Sequence, residues 1–244
     1  MQSRLLQSVF FFACMFCAVI TDAQQSSGRD DLLRMNENYS KAKSYSMTIS
    51  VKVYESKVTS AEPTLYGGKV KKSADGYFAS MKGITIIVNT NCSMMIDDNQ
   101  KQIVYGSSNG KNKKQEAQGK NLTYLPDSSL YGKNQIELQT SANGRKTYLV
   151  KTPGSSYFEK MLITINVLSN TLDEIVYYYK ANEEISGSKV VVTYTDVKIN
   201  SDIPPSAFSE KRYITKHGEQ LNGIGKYSGY KLVDSTKKIS TKGN

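Results

Sequence analysis

Residues 77–105 read YFASMKGITIIVNTNCSMMIDDNQKQIVY, and the kind of fold follows from this stretch. Apolar side chains recur at or near every second position in short runs rich in Ile, Val, Met and Tyr. The runs are cut by Lys82-Gly83, Asn89-Thr90-Asn91 and Asp97-Asp98-Asn99. A period of two belongs to strands rather than helices, and the interrupting residues are turn formers. Connections this short join antiparallel neighbours, because a parallel pair needs a crossover of about a dozen residues or more. The stretch is predicted as an antiparallel meander with strands over 77–82, 84–90, 93–97 and 101–105.

Upstream the same period continues. A strand is predicted over 64–73, ending at Ala74-Asp75-Gly76, and another from Tyr45, where Met47, Ile49, Val51 and Val53 alternate with Thr48, Ser50, Lys52 and Tyr54. Before Tyr45 the period lengthens. Leu32, Met35, Tyr39 and Ala42 fall at helical spacing, and Asp30-Asp31 places acids where the positive end of a helix dipole favours them. The spacing predicts one helix to about Ser44 with a single apolar face, suited to lying on a sheet.

Downstream, residues 106–121 (GSSNGKNKKQEAQGKN) have no apolar period and read as a surface loop. A helical turn is expected over Ser128 to Tyr131, then strands over 135–141, 146–152, 159–168, 172–180 and 188–199. Asn143-Gly144, Ser169-Asn170 and Ser186-Gly187 are the turns. The 159–168 and 172–180 pair, with matching faces of Ile163, Ile165, Val167 and Ile175, Tyr177, Tyr179, is expected at the centre of the sheet. Pro204-Pro205 ends the last strand, since proline cannot donate to a ladder. An extended basic tail follows, with one added strand over Tyr230 to Val233.

Residues 1–23 read as a secretory signal peptide: Arg4, an apolar run from Leu5 to Ile20, and small residues near Ala23. The run is shorter than the roughly 20 residues that span a bilayer. Cys14 and Cys17 lie inside it, so Cys92 is the one cysteine of the remainder, and no internal disulfide can form there. The expected organisation is a signal peptide over 1–23, a single domain over 24–212 and a basic C-terminal extension over 213–244.

The net charge of +10 is unevenly placed. Residues 106–121 carry Lys111, Lys113, Lys114 and Lys120 against Glu116, and residues 211–244 hold 8 basic against 2 acidic side chains. A basic loop and tail on a near-neutral body fit contact with an anionic membrane surface or an acidic protein, or serve solubility alone. Export and tyrosines placed on strands, where they pack, argue against nucleic acid.

Catalytic signatures are missing from the pattern. His217 is the single histidine and sits in the Lys-rich tail, away from any predicted apolar pocket, so nucleophile-and-base devices have no base elsewhere. Asp97-Asp98-Asn99 is a hairpin turn, and Asp173-Glu174 and Glu183-Glu184 read as solvated strand ends. Neither Gly67-Gly68 nor Gly223-Ile224-Gly225 sits in a phosphate-binding context. No metal site, cofactor or catalytic residue is expected. Asn38, Asn91 and Asn121 begin Asn-X-Ser/Thr triplets, which matter only in a eukaryotic chain.

Three segments carry a resemblance: Tyr39-Ser-Lys-Ala-Lys-Ser-Tyr45, the hairpin Ser93 to Tyr105, and Val190-Val-Val-Thr-Tyr-Thr-Asp-Val-Lys-Ile-Asn-Ser-Asp-Ile-Pro-Pro-Ser-Ala-Phe208. Over about residues 29–212 the chain resembles the LolA/LolB-like periplasmic lipoprotein carriers. That resemblance implies an α+β, mainly antiparallel β fold. It would be a strongly curved incomplete barrel with one N-terminal helix and a short lid region over the concave face. It also implies a non-catalytic periplasmic protein whose apolar cavity holds lipid or lipoprotein acyl chains, or a protein-interaction or regulatory module of the same fold with no bound lipid. The chain departs from the family in having no tryptophan, lysines at 69, 71 and 72 where a gating arginine is usual, and the polar loop 106–121 in place of the lid. The cavity would be lined by Met47, Ile49, Val51, Ile86, Val88, Met94 and Ile96, the alternating apolar residues of the predicted strands.

Overall fold

The computed structural model describes residues 27–55, 62–107, 125–126, 129–155, 157–180, 189–218 and 220–235. The expected signal peptide, most of the basic loop with Lys111, Lys113, Lys114 and Lys120, and the Ser186-Gly187 turn lie outside them. A helix α1 spans residues 27–41, ending three residues before the expected Ser44. Strands follow as β1 (Tyr45–Tyr54), β2 (Thr64–Ser73), β3 (Gly76–Met81), β4 (Ile84–Asn89), β5 (Cys92–Asp97) and β6 (Gln102–Ser107). A one-turn helix α2 (Ser129–Lys133) leads into β7 (Gln135–Ala142), β8 (Arg145–Lys151), β9 (Phe158–Asn166), β10 (Thr171–Tyr179) and β11 (Lys189–Ile199). After two short 3-10 turns come β12 (Ile214–His217), β13 (Gln220–Gly223) and β14 (Lys231–Asp234).

The turns form where short loops demand them. Lys82-Gly83 and Asn143-Gly144 each place two consecutive residues at positive φ, the backbone of a tight two-residue hairpin turn, and glycine adopts the second position without a steric penalty. Asp97 Oδ1 accepts from the amides of Asn99 and Gln100, as the hairpin reading of that triplet requires.

The described residues fall into two compact units. The first takes those within 1–40, 53–63 and 126–191, the second those within 41–52, 64–125 and 192–244. In the first unit the hydrogen-bonded order is β10-β9-β8-β7, and β9 is an inner strand paired with both β8 and β10. In the second the order is β14-β6-β5-β4-β3-β2-β1-β11. Neither run closes on itself, and register irregularities at Leu138/Thr140, Leu172/Glu174 and Tyr178/Tyr179 bend the strands they interrupt. The chain is α+β and mainly antiparallel, with one N-terminal helix.

In the first unit α1 buries Leu32, Met35 and Tyr39, as the helical spacing predicts. Gly28 lets its N-terminal turn approach the sheet, since a Cβ there would stand 3.0 Å from Ile136 Cγ2 and from Tyr148 Cε1. The helix is fastened by polar contacts. Asp31 is buried and accepts from Lys146 Nζ at 2.7 Å, from the Tyr148 hydroxyl and from Arg34. Burial pushes the Asp31 carboxyl up, but the hydrogen bonds from Lys146, Tyr148 and Arg34 outweigh it and hold the group below its ordinary value. At the other end, Asn38 Nδ2 donates to the carbonyls of Ser169 and Asn170 in the β9–β10 turn.

In the second unit the tail is not extended. β12 and β13 form a hairpin, and β14 pairs with β6 from Lys231↔Gln102 to Asp234↔Tyr105. This pairing is parallel, unlike the meander, and the long chain between the two strands is the crossover that parallel pairing requires.

Candidate functional site

Register assigns the side chains of the second unit to two faces, because residues opposite one another across antiparallel strands project to the same side. Val70↔Ala79, Ala79↔Ile86 and Ile86↔Met95 define one face, with Lys72↔Tyr77 and Tyr77↔Val88 farther along it. Phe78↔Ile87, Ile87↔Met94 and Met94↔Tyr105 define the other, with Ile96↔Ile103. On β1, Tyr45 lies under the Lys72 ammonium, while Thr48 lines a groove with Lys69, Phe78 and Ser80 of the Met94 face. Alternation then puts Met47, Ile49 and Val51 on the Ile86 face.

The seven side chains read from the sequence as cavity-lining are therefore divided. Met47, Ile49, Val51, Ile86 and Val88 share one face, and Met94 and Ile96 point to the opposite one. Periodicity within a strand cannot show this, because β4 is apolar on both sides: Ile86 and Ile87 are adjacent and both buried.

The Met94 face is covered by the chain itself. Ile87, Cys92, Met94, Ile96, Ile103 and Tyr105 form a buried cluster with Ile214 of β12, and Tyr213, Leu221, Tyr227, Tyr230 and Leu232 pack against it. Tyr227 stacks tilted on Tyr213 and edge-on to Tyr230, with ring centroids 5.2 Å apart in each pair. The Asp98 side chain in the β5–β6 turn accepts from Tyr230 Oη at 3.0 Å and Lys226 Nζ at 3.3 Å. Burial, then the Glu210 carboxylate, pushes the Cys92 thiol up to about 12, so it stays protonated and weakly nucleophilic at neutral pH.

The Ile86 face opens at one end into a cleft of about 270 Å³ lined by Tyr45, Lys72, Tyr77 and Val88 together with the turn residues Ser73 to Gly76, Asn89 and Thr90. The Lys72 ammonium stands 5.8 Å from the centre of the Tyr45 ring. Burial raises the hydroxyl pKa of both Tyr45 and Tyr77, keeping the phenols neutral. Asn89 shapes the wall: its Oδ1 accepts from the amides of Asn91 and Cys92, and its Nδ2 donates to the Phe208 carbonyl and to Glu210.

Of the seven side chains, Val88 alone lines this cleft, and Tyr45, Lys72 and Tyr77 were missed. The signal available was a tyrosine at the first or second position of two strands, each beside a turn. A second cleft, of about 330 Å³, is lined by Tyr105, Glu210, Ile214, Lys216, His217 and Leu221. His217 is thus beside an apolar recess, contrary to the sequence expectation, because the tail folds back onto β6 instead of extending. Among the described residues no cluster of three or more metal-ligating side chains is found.

No protein-family model matches the chain. No curated protein matches it either. Solved structures to which it is similar include the lipoprotein LppX of Mycobacterium tuberculosis, at TM-score 0.42 and 12% identity over 73% of this chain and 98% of that one. Another is a LolA superfamily protein from Nitrosomonas europaea, at TM-score 0.33 and 13% identity over 75% and 98%. A third is a MucA/MucB complex structure from Pseudomonas aeruginosa, at TM-score 0.36 and 10% identity over 81% and 63%. The arrangement described above, mainly antiparallel strands with one N-terminal helix, is of the kind that the resemblance in the sequence motifs implies.

Proposed function

We propose that this chain is a non-catalytic periplasmic binding or carrier protein for lipid or the acyl chains of lipoproteins, bound on the Ile86 face. The observation that carries this reading is the gradient along that face. Aliphatic side chains cover most of it, and at its Tyr45 end two neutral phenols and the Lys72 ammonium adjoin the polar side chains of the neighbouring turns. Apolar, concave sites with a few placed polar groups suit ligands of this type. The basic extension would favour approach to an anionic membrane surface or an acidic protein.

A second reading, a protein-interaction module with no bound lipid, is favoured by the burial of Met47, Ile49 and Ile86 to 3% exposure or less. Such a face is already filled by protein, and a ligand would have to displace part of its cover.

Native mass spectrometry of protein purified gently from its own cell envelope, followed by lipid extraction, separates the two. The carrier reading expects a co-purifying lipid or acylated peptide that is lost in Val88→Lys, a variant at a half-buried position whose folding circular dichroism can verify. A clean ligand-free mass under conditions that preserve known lipid complexes refutes it and leaves the interaction module.

A further inference from the structure

The Ile86 face has a direction, and the direction identifies a ligand's polar end. At one end the paired residues are Lys72↔Tyr77 and Tyr77↔Val88, beside Tyr45. At the other they are Gly68↔Met81, Met81↔Ile84 and Ile84↔Asp97, so the charge at that end is a carboxylate. Tyr77 and Met81 are four residues apart on β3, or about 13 Å at strand spacing. An amphiphile lying along the strands would therefore meet an ammonium at one end and a carboxylate at the other, so an anionic head group is drawn to the Lys72 end.

The charges at that end favour an anion. Lys72 is half-buried, and its ammonium is held over the Tyr45 ring. Among the described residues it has no ion-pair partner. Asp75 adds a carboxylate to the cleft lining, but it is exposed, so water and salt screen it more effectively than they screen Lys72. Tyr45 and Tyr77 are neutral at physiological pH, which leaves the lysine as the less screened charge.

We infer that Lys72 seats the anionic head group of an amphiphile whose chain runs along the Ile86 face toward Met81 and Ile84. This rests on the acyl-binding reading above and adds the orientation and the charge class of the ligand. The head group can be a carboxylate, as in a fatty acid, or a phosphodiester, as in a phospholipid, since either is a singly charged oxyanion that a lysine binds.

The test is a fluorescence titration of the purified chain with cis-parinaric acid and with its methyl ester, which share one chain and differ in head-group charge. The acid is expected to bind about tenfold more tightly, the effect of one charge-assisted contact at a partly exposed site. Lys72→Gln should lower acid binding to the level of the ester and leave the ester unchanged, Lys72→Arg should restore the preference, and Asp75→Asn should strengthen acid binding by about twofold. Displacement of the bound probe by oleate marks a carboxylate head and displacement by lysophosphatidylglycerol a phosphodiester, and either supports the site if Lys72→Gln weakens it. An acid-to-ester ratio that Lys72→Gln leaves unchanged overturns the inference at Lys72. Binding of neither probe overturns the acyl-chain reading beneath it, so the two failures are distinct.

Discussion

The N-terminal helix of the first unit and the C-terminal extension of the second are both covers laid over sheet, but opposite chemistry holds them down. α1 is pinned through one buried carboxylate, Asp31, whose oxygens are taken up by Lys146, Tyr148 and Arg34. The extension is held by rings and aliphatic chains packed on the cluster that Met94, Ile96 and Ile103 share with Ile214. The ion pair of Asp98 with Lys226 is largely exposed. A cover that depends on a buried ion responds to pH, because removing the charge leaves its partners unsatisfied. A cover that depends on apolar burial does not, and it responds to side-chain volume.

Three substitutions test this contrast, from the largest effect to the smallest. Met94→Ala empties volume at the centre of the apolar cluster and should lower unfolding stability by about 2–5 kcal/mol, nearly independently of pH, in urea titrations. A cost below about 1 kcal/mol would show that the extension is loosely packed and break the comparison. Asp31→Asn should lower stability by about 2–3 kcal/mol at pH 7, the range for hydrogen bonds to a buried charge.

The sign of its pH dependence follows from the direction of the shift. The folded carboxyl lies below its ordinary value, so its contribution is present above the unfolded pKa of about 3.9 and is lost as pH falls through the folded value. The gap between wild type and Asp31→Asn should therefore narrow below about pH 4, and a constant gap would assign the effect to packing. Asp98→Ala removes only exposed contacts and should cost less than about 1 kcal/mol. A local readout is more sensitive: thiol labelling of Cys92 at pH 8, slow in the folded chain because the thiol is buried and protonated, should accelerate by up to about fivefold if Asp98 helps to hold the cover closed.

Much of the architecture was legible in particular residues. The alternation from Met47 to Val53, the turns at Lys82-Gly83 and Asn143-Gly144 and the switch to helical spacing before Tyr45 each correspond to an element within a few residues. Local patterns sufficed there because a strand's period and a tight turn's backbone are set by neighbours in the chain. The tail was less legible. Residues 214–223 are polar at most positions, and their hairpin is stabilised by Ile214 and Leu221 meeting a cluster more than a hundred residues away.

The site was legible only in part for a related reason. Met47, Ile49, Val51 and Ile86 could be named as apolar residues at strand spacing, but which of them share a face with Met94 depends on pairing between strands, not on the order within one. The sequence by itself determined that this chain would build an antiparallel sheet with one helix laid on it, since periodicity and turn chemistry are local. Only the tertiary structure decided that Ile86 and Met94 face opposite ways, that the C-terminal extension seals one side and that Tyr45, Lys72 and Tyr77 converge on the other. Register and cover are contacts between residues far apart in the chain, and no local pattern encodes them.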